Sequence, residues 1–127
     1  MDVNNLGENT VILADIGARG GIPSRWHTFK DKIHFILCDA DPSAEVISNN
    51  DVDLNYSVIP LAFGRKTGEI KLNICKGSDM SSTYEPNYSI LAPFEKTERF
   101  TIVEQIMVPV STLDNQLQNK GLCRIPQ

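Results

Sequence analysis

The sequence of 127 residues lacks a basic cluster and lacks any long apolar run. Its 16 acidic and 12 basic residues give a net charge of −4, which argues against electrostatic binding to nucleic acid or to an anionic membrane. Its apolar runs are far shorter than the roughly 20 residues that span a bilayer. Residues 1–8 are acidic and polar, so we expect no signal peptide and no membrane contact.

Cysteine is scarce. The three cysteines, Cys38, Cys75 and Cys123, are far apart and odd in number, so they form neither a CxxC motif nor a disulfide framework. This usage is typical of a reducing compartment, and we expect a cytoplasmic protein. His27 and His34 have no Cys or acid partner at ligand spacing, so we predict no metal site.

The remaining composition is ordinary. Apolar residues make up 41% of the chain and charged residues 22%, as in soluble globular proteins. A chain of this length forms one domain and buries about two-thirds of the surface that its unfolded form exposes. We therefore treat residues 1–127 as a single domain of the α/β class.

Five segments read as strands. Residues 10–16 are apolar on both faces, as a central parallel strand is, residues 33–39 form the second strand, and residues 56–61 form a third strand. Residues 69–75 alternate polar and apolar, with Ile70, Leu72 and Ile74 expected inside and Lys71 and Asn73 outside. This half-exposed strand is expected to pair antiparallel with 100–110, across a long loop at 76–99.

Three helices are expected between these strands. Pro23 fits the first turn of one helix, and Asp41 followed by Pro42 is a helix start. Ser111 or Thr112 can cap a third, short helix with Asp114 in its first turn. The inner faces of these helices are expected to be Trp26 and Phe29, then Ala44 and Ile47, then Leu113 and Leu117.

The most informative stretch runs from Val11 to Gly21. An apolar strand ends in Asp15 and enters a turn that contains Gly17, Gly20 and Gly21. Glycine allows a sharp turn and a close approach of a ligand. The second strand ends in Asp39, whose carboxylate can hold two ribose hydroxyls. A strand, a glycine turn, a helix and a second strand ending in an acid predict half of a nucleotide-binding fold.

The glycine spacing chooses among nucleotides. A dinucleotide fingerprint starting at Gly17 requires glycine at positions 19 and 22, which hold Arg19 and Ile22. Asp15 before the first glycine suits a cationic amino group and not a pyrophosphate, which needs N–H donors and positive charge. S-adenosylmethionine carries an amino group, a sulfonium and a ribose. These features favour it over a nicotinamide dinucleotide.

From about residue 10 to residue 120, the chain resembles the FkbM-type methyltransferases. The motifs that carry the resemblance follow one another in the family's order: DIGARGG (15–21), CDADP (38–42), VIPLAFG (58–64), GEIKLNI (68–74), the pair Ser81 and Ser82, and VPVSTLD (108–114). Each motif is short, and the ordered set carries the specificity.

The resemblance implies a Rossmann-like class I methyltransferase fold. It also implies S-adenosylmethionine as cofactor and O-methylation of a hydroxyl group on a small molecule or glycan. In this fold the adenine lies after the third strand. No general base can be named, and the role of the serine pair stays open. The expected cofactor-binding residues are Asp15, Gly17, Ala18, Arg19, Gly20, Gly21, Asp39, Ala40, Ala62 and Phe63.

The chain departs from the family at two points. Asp39 stands where the family usually has a glutamate, and no Lys-x-Asp strand follows Asp114. We therefore expect an incomplete fold: three parallel strands with their helices and an antiparallel hairpin. Residues 11–16 would then form an open apolar edge, available for self-association or for a partner. The alternative function is a non-catalytic module that binds a cofactor or another protein.

Overall fold

The computed structural model describes residues 9–121. Within them the protein is an α/β structure with a parallel three-stranded sheet and a mixed three-stranded sheet. The strands are β1 (Val11–Ile16), β2 (Ile33–Cys38), β3 (Tyr56–Ile59), β4 (Ala62–Phe63), β5 (Gly68–Cys75) and β6 (Ile102–Ser111). The helices are α1 (Tyr88–Leu91), α2 (Leu113–Asn119) and three 3-10 segments, Ser24–Lys32, Ser78–Met80 and Thr97–Phe100.

The parallel sheet has the order β1-β2-β3, with β2 in the centre. Val11 aligns with Ile33 and Ile16 with Cys38, so β1 and β2 end at the same level. All six residues of β2 are buried, which is the pattern of a parallel strand covered on both faces. The sheet therefore presents the ends of β1 and β2 side by side.

The mixed sheet has the order β4-β6-β5, in which β6 pairs parallel with β4 and antiparallel with β5. The third strand ends at Ile59, two residues before the expected end, because Pro60 has no N–H for a sheet hydrogen bond. The chain turns there and continues into β4, which belongs to the second sheet. The expected pairing of segments 69–75 and 100–110 is confirmed.

The core has one cluster on each face of β2. Phe35 and Leu37 pack on one face together with Ile33, Ala18 and Leu54. The other face carries Ile36, Cys38 and Ile59, covered by side chains from β4, α2 and the connection between β3 and β4. Of the two apolar strands, β2 therefore forms the centre of the molecule. The expectation that residues 10–16 form a central strand is wrong, because β1 lies at the edge of the sheet.

Two of the three expected helices differ from the prediction. The helix after Pro23 is a nine-residue 3-10 segment, and only one of its two expected inner residues packs inward. Trp26 contacts the first core cluster, but Phe29 is 51% exposed. Six of its nine residues (Ser24, Trp26, His27, Thr28, Phe29 and Asp31) are weaker α-helix formers than Ala, Leu, Arg or Lys. The short helix after β6 is confirmed, with Thr112 as its cap.

The helix expected from Asp41 is not present, and this prediction is wrong. The Asp41 carboxylate accepts hydrogen bonds from the backbone N–H and hydroxyl of Ser43 and so holds a local turn. The carbonyl of Glu45 accepts a bond from Gly20 instead of from a residue of its own helix. The Glu45 carbonyl thus serves the glycine turn, and the hydrogen bonds at Asp41 favour a turn over a helix start. Ile47 still packs on the core.

The expected alternation along β5 is only partly confirmed. Leu72 is buried as predicted, but Ile70 is 36% exposed and Asn73 is completely buried. The segment between β5 and β6 folds back over this face, and Ser82 forms two backbone hydrogen bonds with Asn73. The Asn73 side chain donates to the carbonyl of Tyr84 and accepts from Gln105. A buried amide with these partners is satisfied.

β1 lies at the edge of the parallel sheet. Val11 is 59% exposed, Ile12 37% and Ile16 56%, so apolar side chains on this edge face solvent. The expected open edge is therefore present within the described residues. Among these residues, no helix is both long enough and apolar enough to cross a membrane.

The two phenylalanines of this region allow a matched stability test. Phe35 is fully buried in β2, whereas Phe29 is 51% exposed. We expect Phe35→Ala to lower the free energy of unfolding by about 3–5 kcal/mol, because it removes packed surface and leaves a cavity. Phe29→Ala should cost less than about 1 kcal/mol. Urea denaturation of both variants measures the difference, and equal losses would contradict the assignment of the core.

Candidate functional site

A cavity of about 360 Å³ opens at the carboxyl ends of β1 and β2. One wall is formed by the glycine turn and the acidic tip of β2, and the other by β4, β5 and the segment after β5. Its lining residues are Ile16, Gly17, Arg19, Cys38, Asp39, Ala40, Asp41, Leu61, Ala62, Phe63, Leu72, Ser78, Asp79, Ser81, Ser82 and Thr83. The position is the one at which open α/β sheets bind their ligands.

The glycine turn needs glycine because of its backbone conformation. Gly17, Gly20 and Gly21 have φ values of 83°, 96° and 86°, in the region that L side chains rarely adopt. A Cβ added at Gly17 or at Gly20 meets no protein atom within 4 Å, while one at Gly21 would lie 2.7 Å from an oxygen of Asp51. Gly17 lines the cavity, and Gly20 does not.

Every backbone N–H group of this turn already has an acceptor in the protein. Gly17 and Ala18 both donate to the carbonyl of Cys38, at 2.8 and 2.9 Å. The other bonds are Arg19 to the Asp39 carboxylate (3.2 Å), Gly20 to the Glu45 carbonyl (2.8 Å), Gly21 to the Ala18 carbonyl (3.3 Å) and Ile22 to the Asp51 carboxylate (3.0 Å). A phosphate-binding turn points such donors at its ligand, and here they are occupied.

The acidic tip of β2 is held by the same network. Each oxygen of the Asp39 carboxylate accepts one backbone hydrogen bond, from Arg19 and from Asp41. A carboxylate has about four lone-pair positions, so acceptor capacity remains on Asp39 toward the cavity. The Arg19 guanidinium forms an ion pair with Asp41.

The contacts of Asp41 lower its pKa. Burial alone would raise its pKa, but the hydrogen bonds from Ser43 and the charge of Arg19 outweigh burial and lower the pKa of Asp41. Asp41, which was predicted to cap a helix, instead accepts the hydrogen bonds of a local turn and pairs with Arg19. It lines the cavity as well.

Asp51 is a residue of the site that the sequence did not reveal. It is completely buried, and one of its oxygens accepts hydrogen bonds from Ile22 and from the backbone and hydroxyl of Ser48, all at 3.0 Å. Burial alone would raise the pKa of Asp51, but these bonds and the nearby His27 lower it. Ile22 and Asp51 are 29 residues apart, so no local sequence signal marks the contact.

The serine pair anchors the opposite wall. The Ser81 hydroxyl accepts a hydrogen bond from the backbone of Cys75 at 3.0 Å, and Ser82 pairs through its backbone with Asn73. Both residues line the cavity. Their contacts show that they hold the segment after β5 in place, with the exposed Asp79 beside them at the cavity wall.

Six of the ten expected cofactor-binding residues line this cavity, and four lie outside its lining. Asp15 precedes the lining residue Ile16 on β1, and Ala18 is buried in the first core cluster. Gly20 donates a hydrogen bond to the Glu45 carbonyl, and Gly21 lies against Asp51. The six lining residues are Gly17, Arg19, Asp39, Ala40, Ala62 and Phe63.

Cys38 also borders the cavity but is not a reactive thiol. It is 1% exposed, and burial raises its pKa to about 11, with the charges of Asp15 and Asp39 adding to the shift. A thiol in this state is protonated and a poor nucleophile at neutral pH. Its role is that of a small core residue, as predicted.

Comparison of the chain with protein-family profiles, with curated proteins and with solved structures finds no significant match. The family resemblance therefore stays a prediction from motifs. What the site can bind must therefore be argued from its own residues. Carboxylates and small apolar side chains line the cavity, and the backbone N–H groups of the glycine turn already have acceptors in the protein.

The hydrogen-bonded carboxylates of Asp41 and Asp51 make the stability of the protein depend on pH. The pKa values of Asp41 and Asp51 are lowered in the folded protein, so their contribution is present above the ordinary value of 3.8. It is lost as the pH falls through the folded values. We expect Asp41→Asn to cost about 1–3 kcal/mol at pH 7, the range for hydrogen bonds to charged groups. The difference from the wild type should shrink below pH ~4.

Thermal melts from pH 3 to pH 7 measure this effect, with the exposed Asp31 as control. Asp31→Asn should leave the pH profile unchanged, because this carboxylate lies outside the network on the 3-10 helix. A deficit of Asp41→Asn that stays constant down to pH 3 would show that the charge of Asp41 contributes nothing to stability.

Proposed function

We propose that the cavity binds S-adenosylmethionine and that the protein is a methyltransferase of the FkbM type with a Rossmann-like cofactor domain. One observation carries the proposal most. Gly17 and Asp39 border one cavity at the ends of adjacent parallel strands, while the N–H groups of the glycine turn are occupied by the protein. The site thus offers acceptors and negative charge rather than a cradle for phosphate.

The size and charge of the cavity support this cofactor. A volume of about 360 Å³ lies within the usual range of roughly 300–1,000 Å³ for ligand pockets. Of the charged lining residues, Arg19 is paired with Asp41, which leaves Asp39 and Asp79 without an ion-pair partner among the described residues. Two uncompensated carboxylates favour a ligand with an ammonium and a sulfonium over a pyrophosphate.

Individual residues can be given positions against the cofactor. Asp39 keeps acceptor capacity for the ribose hydroxyls, because each of its oxygens accepts only one backbone bond. Ala62 and Phe63 line the cavity from β4 and would cover the adenine with apolar surface. The close backbone at Gly17 leaves room where a side chain would stand.

When bound, the cofactor supplies a methyl group made electrophilic by a positive sulfur. For transfer to a hydroxyl group of a small molecule or glycan, the protein must hold the acceptor oxygen in line with that methyl group. The described residues supply the cofactor side of this arrangement. A protein that binds the cofactor without transferring its methyl group is the alternative.

Gly17 and Gly20 offer a matched pair for testing the cofactor site. Both have positive φ and open space around an added Cβ, but only Gly17 lines the cavity. We expect Gly17→Ala and Gly20→Ala to lose similar stability, about 1–2 kcal/mol for a left-handed backbone. Only Gly17→Ala should lose affinity for S-adenosylhomocysteine, by at least about tenfold, equivalent to about 1.4 kcal/mol.

Calorimetric titration of the wild type and both variants with S-adenosylhomocysteine measures the affinities, and NAD is titrated in parallel. Binding of NAD without binding of S-adenosylhomocysteine would reject the proposed cofactor. An equal loss of affinity in the two variants would remove Gly17 from the ligand contact and leave it a purely structural role.

A second function, self-association through β1, is favoured by the open edge. Val11 and Ile16 are more than half exposed on a strand without proline, lysine or a bulge, in which Asp15 is the one charged residue. Proline, charged side chains and bulges are features with which proteins protect their edges. A second copy offers the same unpaired backbone, and an antiparallel pairing about a twofold axis would join two parallel sheets.

We expect the chain to sediment as a dimer at high concentration and Val11→Lys to weaken dimerisation by at least about tenfold, because a charged side chain on an edge strand opposes pairing. Val52→Lys is the matched control, since Val52 is 68% exposed in a turn away from the edge. Analytical ultracentrifugation over a concentration series measures both. A wild-type monomer at all concentrations would exclude this function.

A further inference from the structure

The buried carboxylate of Asp51 has two oxygens in different situations. One oxygen accepts three hydrogen bonds, from Ile22 and from the backbone and hydroxyl of Ser48. The other is buried and accepts no hydrogen bond from the described residues. A buried carboxylate oxygen without such a bond is costly unless a positive charge compensates it. The group that can do so must lie within ion-pair distance.

His27 is that group. Its Nε2 lies 3.0 Å from the unbonded oxygen of Asp51 and 3.3 Å from the carbonyl oxygen of Ile22. Both neighbours are acceptors, so Nε2 carries a proton in either charge state of the ring. The N–H can serve the Ile22 carbonyl, while the Asp51 oxygen gains chiefly from a positive charge on the ring. The charge of His27 therefore matters more than its ability to donate.

Three other charged groups of this region make their own contacts. Asp53 accepts a hydrogen bond from Lys30 at 3.3 Å, which is the main cause of the lowered pKa of Asp53, and the charge of His27 adds little. Arg25, on the same 3-10 helix, lies over the ring of Trp26. Asp51 is thus the acid that faces His27 directly. The His27 side chain is 29% exposed, so its ring can exchange protons with solvent.

We propose that His27 is a protonation-dependent positioning residue: its imidazolium compensates Asp51 and thereby holds Ile22 and the glycine turn in the conformation that borders the cavity. Asp51 transmits the effect, because it binds the N–H of Ile22 and lies against Gly21. The consequence for ligand affinity rests on the cofactor site proposed above. Histidine is the side chain type whose charge changes between about pH 5 and pH 8, and the tests therefore cover that range.

The first test follows the backbone amide of Ile22 by NMR from pH 5.5 to pH 7.5, together with the ring protons of His27. We expect the NMR signal of the Ile22 amide to shift in one step with the same midpoint as the His27 ring signals. The reason is that the Ile22 N–H donates to Asp51, and the charge of the His27 ring beside Asp51 changes. In His27→Gln, which keeps an N–H donor but cannot titrate, the step should disappear. Asp53→Asn is the matched control and should keep it, since Asp53 does not contact the turn.

The second test measures the affinity for S-adenosylhomocysteine over the same pH range. We expect the wild type to lose about fivefold in affinity from pH 5.5 to pH 7.5, equivalent to about 1 kcal/mol. His27→Gln should bind at one weak level throughout, and Asp53→Asn should follow the wild type. A pH dependence that persists in His27→Gln would overturn the role of His27 at the cavity.

The two tests separate this inference from the proposed function, because the amide shift requires no ligand. An Ile22 amide that ignores the titration of His27 overturns the inference whether or not a ligand binds. If the amide follows His27 but S-adenosylhomocysteine does not bind at any pH, the positioning of the turn stands and the proposed cofactor is rejected.

Discussion

The backbone N–H groups between Gly17 and Ile22 all donate to oxygens of the protein itself, and the shape of the cavity depends on this closed set. Most of the acceptors come from residues 38–51, by way of main-chain carbonyls and two carboxylates. After Asp41, the Glu45 carbonyl and the Asp51 carboxylate are the groups that accept hydrogen bonds from the glycine turn. In a continuous helix the Glu45 carbonyl would instead accept from the residue four positions later.

The same constraint gives the cavity its chemical character. In a phosphate-binding turn, free N–H groups supply the positive end of the contact. Here each of those N–H groups already donates to an oxygen of the protein. The polar side chains that line the cavity are mainly carboxylates and hydroxyls. Under the proposed function, recognition would therefore depend on acceptors for ribose hydroxyls and on negative charge near a cationic ligand. The polarity is the reverse of that needed for a dinucleotide.

The fold was predictable where its signals are local and apolar. The strands β1 and β2 follow from continuous apolar runs. The end of β3 at Ile59 was not predicted, although Pro60, which has no N–H for sheet pairing, is a local signal for it. The short helix capped by Thr112 also rests on neighbouring residues. Likewise, the positive φ values of the three glycines match the turn predicted from their spacing. Each of these features is decided within a few residues of chain.

The mispredicted features depend on partners far away in sequence. Asn73 looked like an outward residue of an alternating strand, but Ser82, Tyr84 and Gln105 satisfy its polar groups and bury it. Asp41 looked like a helix cap, and its ion pair with Arg19 joins residues 22 positions apart. At Asn73 these long-range contacts outweigh the local alternation of the strand, and at Asp41 the long-range ion pair acts together with the local hydrogen bonds from Ser43.

Asp51 shows why such contacts escape sequence reasoning. Nothing in its neighbourhood distinguishes it from the exposed Asp53 two residues later. The difference arises only when the glycine turn and the 3-10 helix with His27 are folded around it, because Ile22 and His27 then supply a donor and an ionisable ring. A buried carboxylate is expensive in isolation. Asp51 accepts a hydrogen bond from Ile22 at the end of the glycine turn and lies beside His27 on the 3-10 helix. It therefore holds both elements to a segment that lies more than 20 residues further along the chain.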